Sequence, residues 1–325
     1  MKIVNSDHRY DIILNNGYDI YKKKEYMDYR ENWQKYPEKR YVSNYPLNID
    51  IGVTTRCNLK CVMCKRTKSV EKGLMDKFYD MELELYKKII DEAVHEGVCA
   101  VHITGDGEPL LHNNIIEMIE YANNKNILDL FMNTNGTLLD KDMSLSILKA
   151  GLTRLLISID SPEKETYESI RVGASFEAVL NNIIAFADLK KKYKYPILRV
   201  QMIKMKNNYF QEKEYAKLFE PYVDELGFSN YVNYFGFDDD SREFQEKHFR
   251  EEFVCVDLWR RMTVNTNGDV FACTPMPKTL LLGNAREKSL KELWHGKKMS
   301  EVRDLYKRRD LKSLKDVCTC GIQWI

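Results

Sequence analysis

Hydrophobic and polar positions alternate from Leu47 onward. Leu47, Ile49, Ile51 and Val53 are separated by polar or small residues, a period of two that predicts a half-buried strand. Helical spacing follows over Met81–Glu96 and stops at Gly97. The apolar run Val98–Thr104 predicts a second strand, followed by a helix near Asn113–Asn124 and a third strand at Ile127–Met132. Asp140 is placed to cap a helix ending at Gly151, and Leu155–Ile159 is the fourth strand. A long helix over Ser175–Lys192, a strand at Ile197–Ile203, a helix near Gln211–Glu220 and a weaker strand at Tyr222–Phe228 complete the series. Six alternations of this kind predict a parallel sheet with right-handed crossovers, open or barrel-like. Ligands of such sheets collect at the carboxyl ends of the strands.

The flanks behave differently. Residues 1–46 are polar and rich in Tyr and Lys, which predicts a helical extension packing its rings on the main domain, without chemistry of its own. After about residue 237, Asp238, Asp239 and Asp240 open a polar stretch that reads as a linker. Arg261–Ala272 reads as a hairpin turning at Asn265–Gly268, and Ser289–Tyr306 as a helix. The expected organisation is an extension over 1–46, a core over 47–236 and a smaller module over 237–325.

A chain of 325 residues is long enough for about two domains. Its 50 Lys and Arg against 49 Asp and Glu leave a net charge of +1, which argues against a nucleic-acid protein defined by a basic field. No apolar run approaches the ~20 residues of a membrane span, and the first residues lack a signal-peptide stretch. A cytoplasmic chain with no nucleic-acid and no membrane partner is expected.

The eight cysteines change the picture, because in a cytosolic chain they point to metal or catalytic chemistry rather than disulfides. Cys57, Cys61 and Cys64 lie in TTRCNLKCVMCKR, in the loop leaving the first strand. Three thiolates this close suit a soft metal or an iron–sulfur cluster, whereas structural zinc normally closes with a fourth ligand that is not nearby. Three cysteines on a 4Fe–4S cluster leave one iron open to bind a small molecule.

This Cys-x3-Cys-x2-Cys spacing resembles the signature of the radical S-adenosylmethionine (radical SAM) superfamily, with Met63 where an aromatic is usual. The resemblance implies a partial (β/α)6 barrel, a 4Fe–4S cluster whose open iron chelates S-adenosylmethionine, and a 5′-deoxyadenosyl radical that abstracts a substrate hydrogen. It also implies a reducing partner such as flavodoxin or ferredoxin. Thr104–Pro109, TGDGEP, resembles the family's Gly-Gly-Glu-Pro element, with Asp106 in place of a glycine. Gly105 and Gly107 would let the backbone approach the methionyl amino group, and Glu108 would accept a bond from it. Asn133 in NTNG, Ser158 and Asp160 in ISID, and Arg171 in SIRVG match positions that relatives aim at the nucleoside, ribose and methionine carboxylate; Gln201 is a weaker candidate.

Cys255, Cys273, Cys318 and Cys320, with the hairpin glycine Gly268 and the SLKELW helix, resemble the auxiliary-cluster module called SPASM, or its shortened form called twitch. Four cysteines suffice for one auxiliary 4Fe–4S cluster. Relatives usually close with Cys-x2-Cys, whereas Thr319 alone separates this pair, so the alternative is an unligated Cys320 that returns a hydrogen atom to a substrate radical. Trp259, Arg260 and Arg261 either make the second cluster's surroundings electropositive or pack. Cys99 is expected in the core, His102 as a core or lining histidine, and His112 as a distant candidate for a substrate contact. The expected reaction is oxidation or epimerisation of a carbohydrate-like small molecule. A ribosomally made peptide is the second reading, and a non-catalytic metal-binding scaffold or regulator belongs to another class.

Overall fold

The computed structural model describes residues 2–6, 9–75, 77–231, 255–274 and 276–318. All six predicted core strands form: β3 (Asn48–Gly52), β4 (Ala100–Thr104), β5 (Asp129–Thr134), β6 (Arg154–Ser158), β7 (Ile197–Lys204) and β8 (Glu225–Asn230). They pair in parallel in chain order, as the right-handed crossover rule requires of short helical connections. Among the described residues β3 and β8 do not pair with each other, so the sheet is open rather than closed into a barrel.

Both free edges are extended. β1 (Lys2–Ser6) and β2 (Arg9–Ile13) form a hairpin whose second strand runs antiparallel to β8. The N-terminal segment is therefore not simply helical, although α1 (Lys24–Lys39) follows the hairpin. At the other edge β9 (Arg261–Val264) pairs in parallel with β3, and β10 (Asp269–Phe271) and β11 (Leu281–Asn284) continue antiparallel. Among the described residues one sheet of eleven strands thus runs through the extension, the core and the C-terminal module.

The helices explain their own ends. α3 (Leu83–His95) stops ahead of Gly97, which takes φ +75°. α5 (Lys141–Ala150) starts where the Asp140 carboxylate accepts from Met143 N–H and ends on Gly151 at φ +84°. α4 (Ile115–Asn124), α7 (Phe176–Lys190) and α8 (Glu212–Phe219) lie where periodicity placed them. Two short helices went unpredicted, α2 (Lys65–Glu71) and α6 (Lys164–Ile170). The helix expected over 289–306 is two, α9 (Leu290–Trp294) and α10 (Lys297–Arg308), because Gly296 breaks it; α11 (Leu311–Val317) follows. Ser289 and Glu292 form a reciprocal capping box on α9.

The two faces of the sheet differ. Ile49, Ile51, Val101, Ile103, Leu155 and Ile157 pack outward against the helices in one continuous core. The inner face is polar: registers place Asp50 beside His102, Asn133 beside Leu156, and Ser158 beside Gln201. Tyr18, Ile20, Tyr26 and Tyr29 pack against Ala100 and Ile197, at the first residues of β4 and β7, and so cover the amino ends of the strands. The tyrosine-rich extension packs its rings on the main domain as expected, and it leaves the carboxyl ends for chemistry.

Candidate active site

The cysteine loop leaves β3 at its carboxyl end and runs past Cys57 and Cys61 to Cys64, the residue just before α2. Cys61 is buried, while Cys57 and Cys64 are half-buried. Burial pushes the Cys61 thiol up to about 11, opposed by the Arg171 guanidinium, whose Nη1 lies 3.8 Å from Cys61 Sγ. Leu59 N–H donates to Cys57 Sγ at 3.5 Å. Nearby donors and a cation are what thiolates on a cluster require, so this set fits an iron–sulfur centre.

The loops leaving the next strands brace the cysteine loop. A Cβ on Gly107 would lie 2.4 Å from the carbonyl oxygens of both Thr54 and Arg56, and one on Gly105, at φ +124°, would lie 2.6 Å from Gly52 Cα. Gly107 therefore lets the loop after β4 touch the cysteine loop, and Gly105 lets it touch the end of β3, a packing reason the sequence did not show. Glu108 is buried, and its carboxylate accepts from Thr134 Oγ1 (2.7 Å), Asn135 N–H (2.7 Å) and Leu110 N–H (3.2 Å). It joins the exits of β4 and β5, and burial raises its pKa. Asn135 Nδ2 donates to Asn58 Oδ1 at 2.9 Å, tying the NTNG turn to the cysteine loop. Asn58 had no motif to mark it; its position one residue after Cys57 was the available signal.

Asp160 is fully buried after β6, with one carboxylate oxygen on Arg171 Nε (2.5 Å) and the other on Ile203 N–H (2.8 Å). Both oxygens are occupied within the protein, so Asp160 orients Arg171 rather than facing outward. Arg171, itself only 9% exposed, reaches from Asp160 to Cys61. Asp160 raises its pKa against the effect of burial, so it is charged at any working pH. Ser158 is half-buried at the end of β6.

Asn133 belongs to a second network. Its Oδ1 lies 3.1 Å from His102 Nε2, and His102 Nδ1 lies 3.0 Å from Asp50 Oδ1. Arg261 Nη1 (3.2 Å) and Thr274 Oγ1 (3.0 Å) both donate to Asp50 Oδ2. Burial alone would raise the Asp50 carboxyl, but Arg261, His102 and Asn48 hold it well below the usual range. His102 stacks on Phe131 at 4.1 Å. This chain crosses β9, β3, β4 and β5 and ends at Thr274, next to Cys273. His102 thus lines the inner face, and periodicity alone could not name its partners.

In the C-terminal module Cys273 and Cys318 are buried and Cys255 half-buried. Tyr306 Oη lies 3.5 Å from Cys318 Sγ, and none of the seven described cysteines is in a disulfide. Cys320 lies outside the described residues. Trp259 is fully buried, and Arg260 and Arg261 stack on Trp33 of α1 at 5.0 and 4.8 Å, so this trio packs the module against the extension. His112 is also structural: Asn114 N–H donates to its Nδ1 and its Nε2 meets Met81 O. Cys99 is half-buried beside the tyrosine cluster.

Comparison with known proteins decides the family. Residues 51–201 match the model of the radical SAM superfamily, and residues 255–321 match that of the SPASM iron–sulfur cluster-binding domain. The chain belongs to the radical SAM superfamily. It is a radical SAM enzyme with a C-terminal SPASM domain, and its cofactors are a 4Fe–4S cluster, S-adenosylmethionine and an auxiliary iron–sulfur cluster. Among curated relatives, GTP 3′,8-cyclase of Desulforamulus reducens is 35% identical over 146 residues, 44% of each chain. GTP 3′,8-cyclase of Thermodesulfovibrio yellowstonii is 36% identical over 135 residues, covering 40% of this chain and 41% of its own. The chain thus spans less than half the length of the curated relatives it matches. Among solved structures, BtrN with AdoMet and 2-DOIA aligns at TM-score 0.55 with 15% identity, covering 86% of this chain and 94% of its own. Streptococcus suis SuiB bound to precursor peptide SuiA aligns at TM-score 0.62 with 17% identity, covering 92% and 74%. At these identities the likeness carries the fold.

Proposed function

We propose that this radical SAM enzyme removes a hydrogen atom from a small, neutral, hydroxyl-bearing molecule of carbohydrate-like character, giving oxidation or epimerisation. The observation that carries the reading is the charge balance of the inner face. Arg154 is paired with Asp129 and Glu225, Arg199 with Asp11 and Glu225, and Arg261 with Asp50 and Asp257. Among the described side chains no arginine of that face is left to meet a polyanion. Phosphate recognition rests on Arg and Lys, so among the described residues a nucleoside triphosphate such as the GTP named for the curated relatives meets no unpaired arginine on this face. Toward the strand exits the face offers His102, Asn133, Ser158 and Gln201, all half-buried hydrogen-bonding groups suited to hydroxyls.

In this reading Cys57, Cys61 and Cys64 hold the 4Fe–4S cluster, which when bound supplies the electron that splits S-adenosylmethionine into methionine and a hydrogen-abstracting 5′-deoxyadenosyl fragment. Arg171, aimed by Asp160, keeps the cluster side positive and meets the methionine carboxylate. Gly105, Gly107 and Glu108 shape the loop that receives the amino group, and Asn133 and Ser158 face the nucleoside. Cys255, Cys273, Cys318 and Cys320 would hold the auxiliary cluster.

The test is product analysis in deuterated solvent with reduced enzyme, S-adenosylmethionine and a panel of cyclitols, sugars, GTP and peptides. Deuterium gain in a cyclitol or sugar signals epimerisation, and loss of two hydrogens signals dehydrogenation. Turnover confined to GTP or to a peptide would overturn the reading.

A further inference from the structure

Arg303 of α10 is only 2% exposed, yet among the described residues no carboxylate pairs with it. Its Nε donates to Leu258 O at 3.0 Å and its Nη1 to Trp294 O at 2.7 Å, while Nη2 is buried with no acceptor among the described residues. The guanidinium stacks 4.0 Å over the Trp294 ring. Burial brings its pKa down to about 9, so it is still a cation at neutral pH. Arg154, Arg171 and Arg199 are also buried, and each of them pairs with a carboxylate. A buried cation held only by neutral groups is costly, and Arg303 therefore calls for an anion that these side chains do not supply.

The same helix reaches the cysteines of the C-terminal module. Leu258, whose carbonyl accepts from Arg303, lies three residues after Cys255. One helical turn beyond Arg303, Tyr306 Oη lies 3.5 Å from Cys318 Sγ. Both residues are buried on one face of α10, as a spacing of three places them. The Cys273 loop closes on the same region, since Ala272 N–H donates to Leu280 O and Thr279 Oγ1 donates to Val317 O at 2.6 Å. A cation and a hydroxyl thus stand on one helix face, packed on segments that carry Cys255 and Cys318.

We propose that Arg303 is the buried counter-charge of the auxiliary cluster and Tyr306 the donor to its Cys318 thiolate, and that together they raise the cluster's reduction potential. The inference rests on Cys318 as a ligand. An iron–sulfur cluster on four thiolates is net negative and becomes more so on reduction, so a nearby cation stabilises the reduced form more than the oxidised one. A hydroxyl that donates to a ligand sulfur acts in the same direction. In a buried module both effects are screened little by solvent. The anion that Arg303 lacks is then supplied when the module is loaded.

The experiment is a redox titration of the reconstituted full chain followed by EPR, with iron content and melting temperature measured on every variant. The Cys57→Ala/Cys61→Ala/Cys64→Ala protein, which keeps the auxiliary cluster alone, identifies its signal. Arg303→Met should lower the ratio of reduced to oxidised auxiliary cluster about tenfold at a fixed potential, about 59 mV for one electron. Arg303→Lys, which keeps the charge, should recover most of that loss. Tyr306→Phe should lower the ratio about threefold with iron content unchanged. An unmoved potential in either Arg303→Met or Tyr306→Phe overturns the proposal, and a lower melting temperature beside it assigns the residue to packing. If Arg303→Met cannot hold the auxiliary iron, Tyr306→Phe decides on the same criterion. Full iron content in Cys318→Ala would mean that the ligand assignment, rather than the tuning, has failed.

Discussion

Gly107 shows how much of the site rests on the absence of a side chain. The 2.4 Å approach to two carbonyl oxygens leaves no room for a methyl group, and overpacking of this kind costs about 1–3 kcal/mol or more. Gly107→Ala should lower the melting temperature by several degrees and reduce iron retention after reconstitution. Gly73→Ala, where nothing lies within 4 Å but φ is +66°, should cost stability through backbone strain and leave iron retention unchanged; equal iron loss in the two would contradict the close-contact explanation. Arg171 offers a sharper case. Lysine in its place keeps the charge but cannot span from Asp160 to Cys61 as the guanidinium does. Arg171→Lys should weaken S-adenosylmethionine binding about tenfold with iron content unchanged, read by equilibrium dialysis. Unaltered affinity would remove Arg171 from the cofactor site. The candidate residues were legible because TGDGEP, NTNG, ISID and SIRVG follow strands in order. Their contacts were not, since Asp160 meets Arg171 eleven residues away and His102 meets Asp50 across a strand pair, and no periodicity encodes partner choice.

Among the elements, the core strands were legible because those buried on both faces alternate with long amphipathic helices, and the period of each repeats over many residues. The elements missed were short or depended on pairing. α2 and α6 have seven residues each, too few to establish a period, while β2 gains its stability by pairing with β8 and β1 by pairing with β2. The C-terminal module depends on local signals instead. Ser289 caps α9, a five-residue helix with little else to hold its first turn, and Trp294 of that helix donates from Nε1 to Ser43 O. Ser289→Ala should cost about 1 kcal/mol, seen as a lower midpoint in urea, with Ser289→Asp restoring most of it. Failure of aspartate to rescue would mean that the cap is not the reason serine stands there.

The whole molecule is held across its inner face by ion pairs that no single segment contains. Glu225 of β8 sits between Arg154 of β6 and Arg199 of β7 and accepts from Tyr21 of the extension. Burial would raise its carboxyl, but Arg154 and Arg199 outweigh burial and lower it. A lowered folded pKa means stability that is present above the unfolded value of about 4.3 and lost as pH falls through the folded one. Glu225→Gln should therefore unfold at lower urea than the unaltered protein at pH 7, with the difference shrinking below about pH 4. A difference constant with pH would exclude this pairing as the cause.

The most direct measurement combines iron content with reductive formation of 5′-deoxyadenosine in anaerobically reconstituted protein. The unaltered chain should hold about eight irons and release 5′-deoxyadenosine when reduced with S-adenosylmethionine. The Cys57→Ala/Cys61→Ala/Cys64→Ala protein should keep about four irons and release none. A triple variant that still cleaves S-adenosylmethionine, or an unaltered chain that fills these sites with zinc, would contradict the account.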